Sequence, residues 1–223
     1  MKRWNWMSKK KIKLEQKVEA AGRRMSAALR RFFRQRGIFV VNLIGSPGAG
    51  KTSLIEAAAD RLRGRTAVIQ GDLETDEDKE RIERCGLPAY QINTISGCHL
   101  DAGQIRRAVE DFPLGGVRFL FIENVGNLVC PASFEIGEDI KVAAISVTEG
   151  DDKPAKYPVA LRASAALILT KTDLLPYLRC DVDRMAKDAL LANPKLKLFR
   201  CSATTGEGVD GFLDWLEEAA AQP

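Results

Sequence analysis

One histidine, His99, stands in the 223 residues of this chain, and no run of about 18 apolar residues occurs in it. The missing run excludes a membrane-spanning helix. The N-terminus, MKRWNWMSKKKIK, has the charge of an export signal without its apolar core, so the expected compartment is the cytoplasm. Five cysteines (85, 98, 130, 180 and 201) are odd in number and widely scattered, which speaks against a disulfide framework and for thiols or metal ligands. Internal repeats and low-complexity linkers are also missing. What remains is the composition of an ordinary globular protein, 45% hydrophobic and 29% charged, long enough for one α/β domain with an added segment.

The net charge of +4 conceals an asymmetry. Residues 1–36 carry 13 Lys/Arg against two Glu, leaving 21 basic against 28 acidic residues in the rest, a net of −7. A basic arm of this kind suits an acidic partner, nucleic acid or anionic lipid, and equally a solvated helix face. From Leu14 to Phe32 the apolar residues recur in steps of three and four, which predicts an amphipathic helix over 9–35 ended by Gly37, with residues 1–8 mobile. Docking on the body is the default for such a stripe. Beyond it, short apolar runs at 38–44, 66–70, 117–122, 142–147, 165–169 and 197–200 alternate with helical stretches near 52–63, 76–85, 100–111, 181–192 and 209–220. Alternation of that kind predicts an α/β fold, a mainly parallel central sheet with helices on both faces. The expected division is a basic segment, 1–36, and a nucleotide-binding domain, 37–223.

Gly45-Ser46-Pro47-Gly48-Ala49-Gly50-Lys51-Thr52 matches the phosphate-loop pattern G-x-x-x-x-G-K-S/T in full, between an apolar run and a helical stretch that opens with Ser53. Glycines let the backbone wrap a phosphate with its N–H groups inward, and the helix N-terminus adds its positive end. Lys51 is then expected at the β/γ-phosphates and the Thr52 hydroxyl on Mg²⁺.

Two later elements read the base. Thr170-Lys171-Thr172-Asp173 resembles the N-K-x-D element of GTPases, with Thr170 where Asn is usual. The Asp173 carboxylate can accept from N1–H and the exocyclic amine of guanine together, a donor pair that adenine lacks. Lys171 would lie along the base. Ser202-Ala203 resembles the S-A-x element, whose backbone N–H meets guanine O6. Between these and the phosphate loop, the acidic run 71–78 reads as switch I, with Asp72 near Mg²⁺ or the attacking water and Thr75 or Asp76 as alternative helix caps. Glu123-Asn124-Val125-Gly126 resembles D-x-x-G, the switch II element. Glu123 would hold Mg²⁺ through water, and the Gly126 N–H would sense the γ-phosphate. Asn127 follows instead of a water-orienting Gln, which predicts slow hydrolysis.

His99 adjoins Cys98, and Cys130 lies in the loop after switch II. Thiolates with an imidazole suit Zn²⁺ or Ni²⁺, although a buried free cysteine and a hydrogen-bonded loop histidine fit the same residues. One chain supplies three soft ligands at most, so a water completes the site or two chains share it.

GSPGAGKT, GDLETDED, NTISGCHLDA, FIENVGNLVCPASFEIGED and TEGDDKPAKYP together resemble the nickel-insertion GTPases of NiFe-hydrogenase maturation (HypB-like), from about Arg30 to the C-terminus. The resemblance implies a GTPase that dimerises on GTP or metal binding and delivers Ni²⁺ to a hydrogenase large subunit alongside a small zinc-containing, HypA-like partner. It makes Cys98, His99 and Cys130 the expected ligands and leaves no role for nucleic acid. Some members carry an N-terminal Cys-x-x-Cys-x-Cys motif or a histidine-rich store; this sequence has neither, so tight N-terminal nickel binding and storage are not expected. Competing readings are a GTPase of urease or cobalamin-enzyme maturation, an ATP-dependent small-molecule kinase, and a metal buffer with an inert nucleotide site.

Overall fold

The computed structural model describes residues 2–72, 77–94 and 97–221, with the side chains of residues 2–18 and of Asp72 outside that description. Helix α1, Lys2–Gln35, leads into strand β1, Phe39–Gly45. There follow α2 (Lys51–Ala57), α3 (Ala59–Leu62), β2 (Thr66–Asp72), α4 (Glu77–Arg84), β3 (Ala89–Asn93) and α5 (Ala102–Asp111). The second half runs β4 (Phe119–Glu123), α6 (Cys130–Ser133), β5 (Ile140–Ser146), α7 (Lys153–Lys156), α8 (Pro158–Ala163), β6 (Ala166–Thr170), α9 (Val182–Ala192), β7 (Lys197–Arg200) and α10 (Val209–Ala221).

Among the described residues seven strands form one sheet in the order β3-β2-β4-β1-β5-β6-β7, parallel at every pairing. Strands β4 and β6 are buried at every residue, and β1 and β5 at all but their first, as continuous apolar runs in a doubly covered sheet require. Alternate side chains divide between the faces. Val41, Leu43, Phe119 and Phe121 pack with α2, α3 and α10 on one face, and Val40, Leu120 and Ile122 pack with α1 and α5 on the other. On that second face, beyond β1, Ala143, Ile145, Leu167 and Leu169 meet α8 and α9.

The predicted six strands are all present; the seventh, β3, was not expected. Its sequence, Ala-Tyr-Gln-Ile-Asn, is polar at alternate positions because an edge strand has one flank open. The helix predicted over 52–63 is interrupted at Ala58, for which the sequence offers no breaker. The leading helix begins at Lys2, seven residues earlier than the apolar spacing places it, where a mobile lead was expected. Its last turns dock as the stripe requires. Leu29 and Phe33 are buried against the body, and Arg30 reaches the Glu138 carbonyl (2.9 Å) and the Glu135 carboxylate (3.1 Å). Arg34 meets Asp139 at 3.0 Å, so part of the basic arm is matched by acids of the body.

Candidate functional site

The site forms where β1, β4, β2 and β6 end on one edge of the parallel sheet, the place where open α/β sheets bind ligands. After Gly45 the chain turns through Gly48 (φ 71°) and Gly50 (φ 83°), left-handed values that glycine adopts at no steric penalty. Helix α2 starts at Lys51 with no side-chain cap, so its first N–H groups face a cavity of about 380 Å³. Lys51 Nζ rests 3.3 Å from the Ser46 carbonyl and 4.0 Å from Glu123, its charge held over the loop.

Glu123 closes β4 and is buried. It accepts from Thr52 Oγ1 at 2.8 Å and from Gln70 Nε2 at 3.0 Å, and burial pushes its carboxyl above the usual carboxylate range. The Gln70 Oε1 atom is buried and has no hydrogen-bond partner among the described residues. A hydroxyl, a carboxylate and an orphaned amide oxygen side by side make an all-oxygen donor set, which fits Mg²⁺ and its water shell. Asp72, the other expected Mg²⁺ or water ligand, ends β2 at this edge; its side chain, and the whole of Thr75 and Asp76, lie outside the described residues. Gln70 was missed in the sequence because it reads there as one residue of a strand. Arg81 of α4 was missed too: it lines the cavity mouth, bonded to Ser53 Oγ (3.1 Å), to Glu56 and to Asp78.

Gly126 lines the same cavity and lies directly on the phosphate loop. A Cβ there would stand 2.8 Å from Pro47 Cγ and 3.0 Å from Pro47 N. The next residue, Asn127, makes an isolated bridge to Gly45. Switch II is thus laid against the phosphate loop.

A second cavity of about 210 Å³ adjoins the first, and Gly50, Ser53 and Lys171 line both. Asp173 and Ala203 line its wall, and Ser202 Oγ donates to Asp173 Oδ1 at 2.7 Å, which locks the two base-reading loops together. Lys171 holds a left-handed backbone, φ 60°. Thr170, the departure from Asn, donates its hydroxyl to the Ala49 carbonyl at 2.6 Å and so ties the base-reading strand to the phosphate loop.

Cys98, His99 and Cys130 come together with their ligand atoms within 4.8 Å of one another, the one group of His, Cys, Asp and Glu found at such spacing among the described residues. Cys98 Sγ is 3.5 Å from His99 Nδ1. The hydrogen bond with Cys130, then burial, raises the Cys98 thiol, while burial lowers His99. The His99 ring stacks on Phe134 at 4.2 Å. Cys130 sits at the start of α6 rather than in a plain loop. Cys201, by contrast, is buried under the base-reading loop with its thiol pushed up to about 11 and takes no part.

A phosphate loop, an acid-ended neighbouring strand and two locked base-reading loops on a parallel sheet define a P-loop GTPase, and residues 39–200 match the CobW/HypB/UreG nucleotide-binding domain. The chain is 48% identical over 208 residues to the hydrogenase maturation factor HypB of Escherichia coli K12, covering 92% of this chain and 72% of that protein. It is 36% identical over 220 residues to the hydrogenase/urease maturation factor HypB of Helicobacter hepaticus, covering 97% and 91%. The crystal structure of HypB from Helicobacter pylori in complex with nickel superposes with a TM-score of 0.85 at 33% identity, over 90% of this chain and 95% of that one. The chain belongs to the HypB family of hydrogenase maturation factors.

Proposed function

We propose that this protein binds GTP with Mg²⁺, hydrolyses it slowly, and uses the cycle to load and pass on Ni²⁺ for the large subunit of a NiFe-hydrogenase. One observation carries the reading: a Cys-His-Cys cluster whose third ligand lies four residues beyond Gly126, which itself rests on the phosphate loop. The residues 45–53 cradle the phosphates, with Lys51 at the β/γ-oxygens; Asp173, Lys171, Ser202 and Ala203 hold guanine. Mg²⁺ when bound offsets charge on the phosphate oxygens. Thr52 and Glu123 would hold it, with Asp72 expected at the ion or at the attacking water. Water attacks the γ-phosphorus in line as the bond to the GDP oxygen breaks, and loss of the γ-phosphate frees Gly126. Slow turnover follows because the Asn127 side chain is engaged outside the phosphate cavity, with no glutamine in its place.

Three ligands leave a tetrahedral ion one position short. A second copy of the chain completes the site, and Val129 and Phe134, 58% and 43% exposed beside the cluster, supply apolar surface for that contact. Zn²⁺ satisfies the same donors, so identity is settled by geometry and supply. A small zinc-containing HypA-like protein is the expected delivery partner, and the cytoplasm the compartment; among the described residues no helix is long and apolar enough to cross a membrane. Urease is a second destination, favoured by the name of the Helicobacter hepaticus relative.

Metal content and oligomeric mass, each measured with GDP and with a non-hydrolysable GTP analogue, test the proposal. The expected result is a dimer with the analogue and metal bound at a defined ratio, both lost in Cys98→Ser and Cys130→Ser. Unchanged metal stoichiometry in those variants would sink the shared-site reading, and equal affinity for ATP and GTP would sink the guanine assignment.

A further inference from the structure

Asn127 follows Gly126, where some GTPases carry a water-orienting glutamine, yet its carboxamide is bonded toward the thiol-bearing segments. Nδ2 donates to the Cys98 carbonyl at 3.2 Å, and Oδ1 accepts from the Val129 N–H at 2.8 Å. One amide therefore spans the two segments that carry the thiols, bonded to Cys98 itself and to the residue immediately before Cys130. The backbone of Asn127 meanwhile bridges Gly45, the first residue of the phosphate loop. Asn124, three residues earlier, makes a parallel contact: its Oδ1 accepts from the Leu100 N–H at 3.0 Å, so the Cys98–His99 pair is held at both ends by asparagines of switch II. Asn124 is in turn fixed by Asn42 Oδ1 at 3.1 Å, deep in the sheet, whereas Asn127 lies half-buried in the loop beyond β4, its two side-chain bonds made to the thiol-bearing segments.

We propose that Asn127 is the positioning residue of the metal cluster, setting the separation of the Cys98 and Cys130 segments and changing it when the γ-phosphate leaves. This rests on the nucleotide-linked metal cycle proposed above. Groups that orient metal ligands are worth about 10- to 100-fold in affinity when removed. A residue that only stabilised the fold would weaken metal binding equally in every nucleotide state. A positioning residue that relays the state abolishes the difference between states.

The test uses the full chain and Zn²⁺ or Ni²⁺ alone, titrated against a chromophoric chelator with no nucleotide, with GDP and with a non-hydrolysable GTP analogue. In Asn127→Ala we expect metal affinity about tenfold or more below wild type and the GDP-to-analogue affinity ratio reduced to about 1. Asn127→Asp keeps the acceptor for Val129 and loses the donor to Cys98, so it should retain the fold and still lose the ratio. An undiminished ratio in both variants overturns the proposal while leaving the nucleotide-linked cycle intact. A ratio of 1 in the wild type removes both.

Discussion

Gly126→Ala isolates the contact between switch II and the phosphate loop. The new Cβ would meet Pro47 Cγ at 2.8 Å, Pro47 N at 3.0 Å and Pro47 Cα at 3.1 Å. Ordinary carbon contacts lie near 3.5–4.0 Å, so the two segments must part by about 0.5 Å, and two of the three obstructing atoms are backbone that cannot rotate away. The Gly126 φ is not positive, so alanine suffers no torsional strain and the effect is steric alone. Overpacking of this kind costs about 1–3 kcal/mol. On the proposed function, the state with a γ-phosphate for the Gly126 N–H to reach bears most of that penalty. GTP affinity should fall about 5- to 150-fold while GDP affinity holds within about twofold. Equilibrium binding of fluorescent GTP-analogue and GDP derivatives, without metal, reads both. Equal losses for the two nucleotides, or none, would refute the assignment of Gly126 as the γ-phosphate sensor.

Two shorter predictions follow from buried groups. Thr170→Val removes the 2.6 Å bond to Ala49 and strands a buried carbonyl, so the nucleotide-free protein should lose about 1–2 kcal/mol, a melting temperature about 2–8 °C lower, while Thr170→Ser holds near wild type. Because that bond ties the phosphate loop to the strand before Asp173 rather than to the Gly126 segment, GTP and GDP should weaken together. The raised carboxyl of Glu123 makes its charged form unfavourable in the apo fold, so its stability contribution is full below the ordinary value and is lost as pH rises through the folded one. Melting of nucleotide-free protein from pH 5 to 8 should show that decline in wild type and a flatter profile in Glu123→Gln; matching slopes would contradict it.

The nucleotide site was legible in the sequence because each part is local. Gly48, Gly50, Lys51 and Thr52 fall within five residues, and the turn and helix start that place them are encoded in eight. The Asp173 and Ser202 loops were legible for the same reason. Strand β3 was hidden because its edge position lets Gln91 and Asn93 stand where a central strand would demand apolar residues. Helices α6, α7 and α8 span four to six residues each, too short for a helical period to show. The pairing of Cys98 with Cys130 joins loops after non-adjacent strands, β3 and β4, and the residues alone left a buried thiol equally open. Gln70, Arg81 and the two asparagines act through partners 24 to 82 positions away, which no spacing rule records.

Strand β1 divides the sheet into two territories with separate duties. The two loops expected to hold the purine follow β6 and β7, the metal-cluster residues and Gly126 follow β3 and β4, and the phosphate loop follows β1 between them. On the proposed function, affinity for guanosine is therefore set on ground that loss of the γ-phosphate does not cross. Substitutions in the first territory should retune how long any nucleotide stays, and those in the second how much of its energy reaches the cargo, so the two traits are free to vary independently.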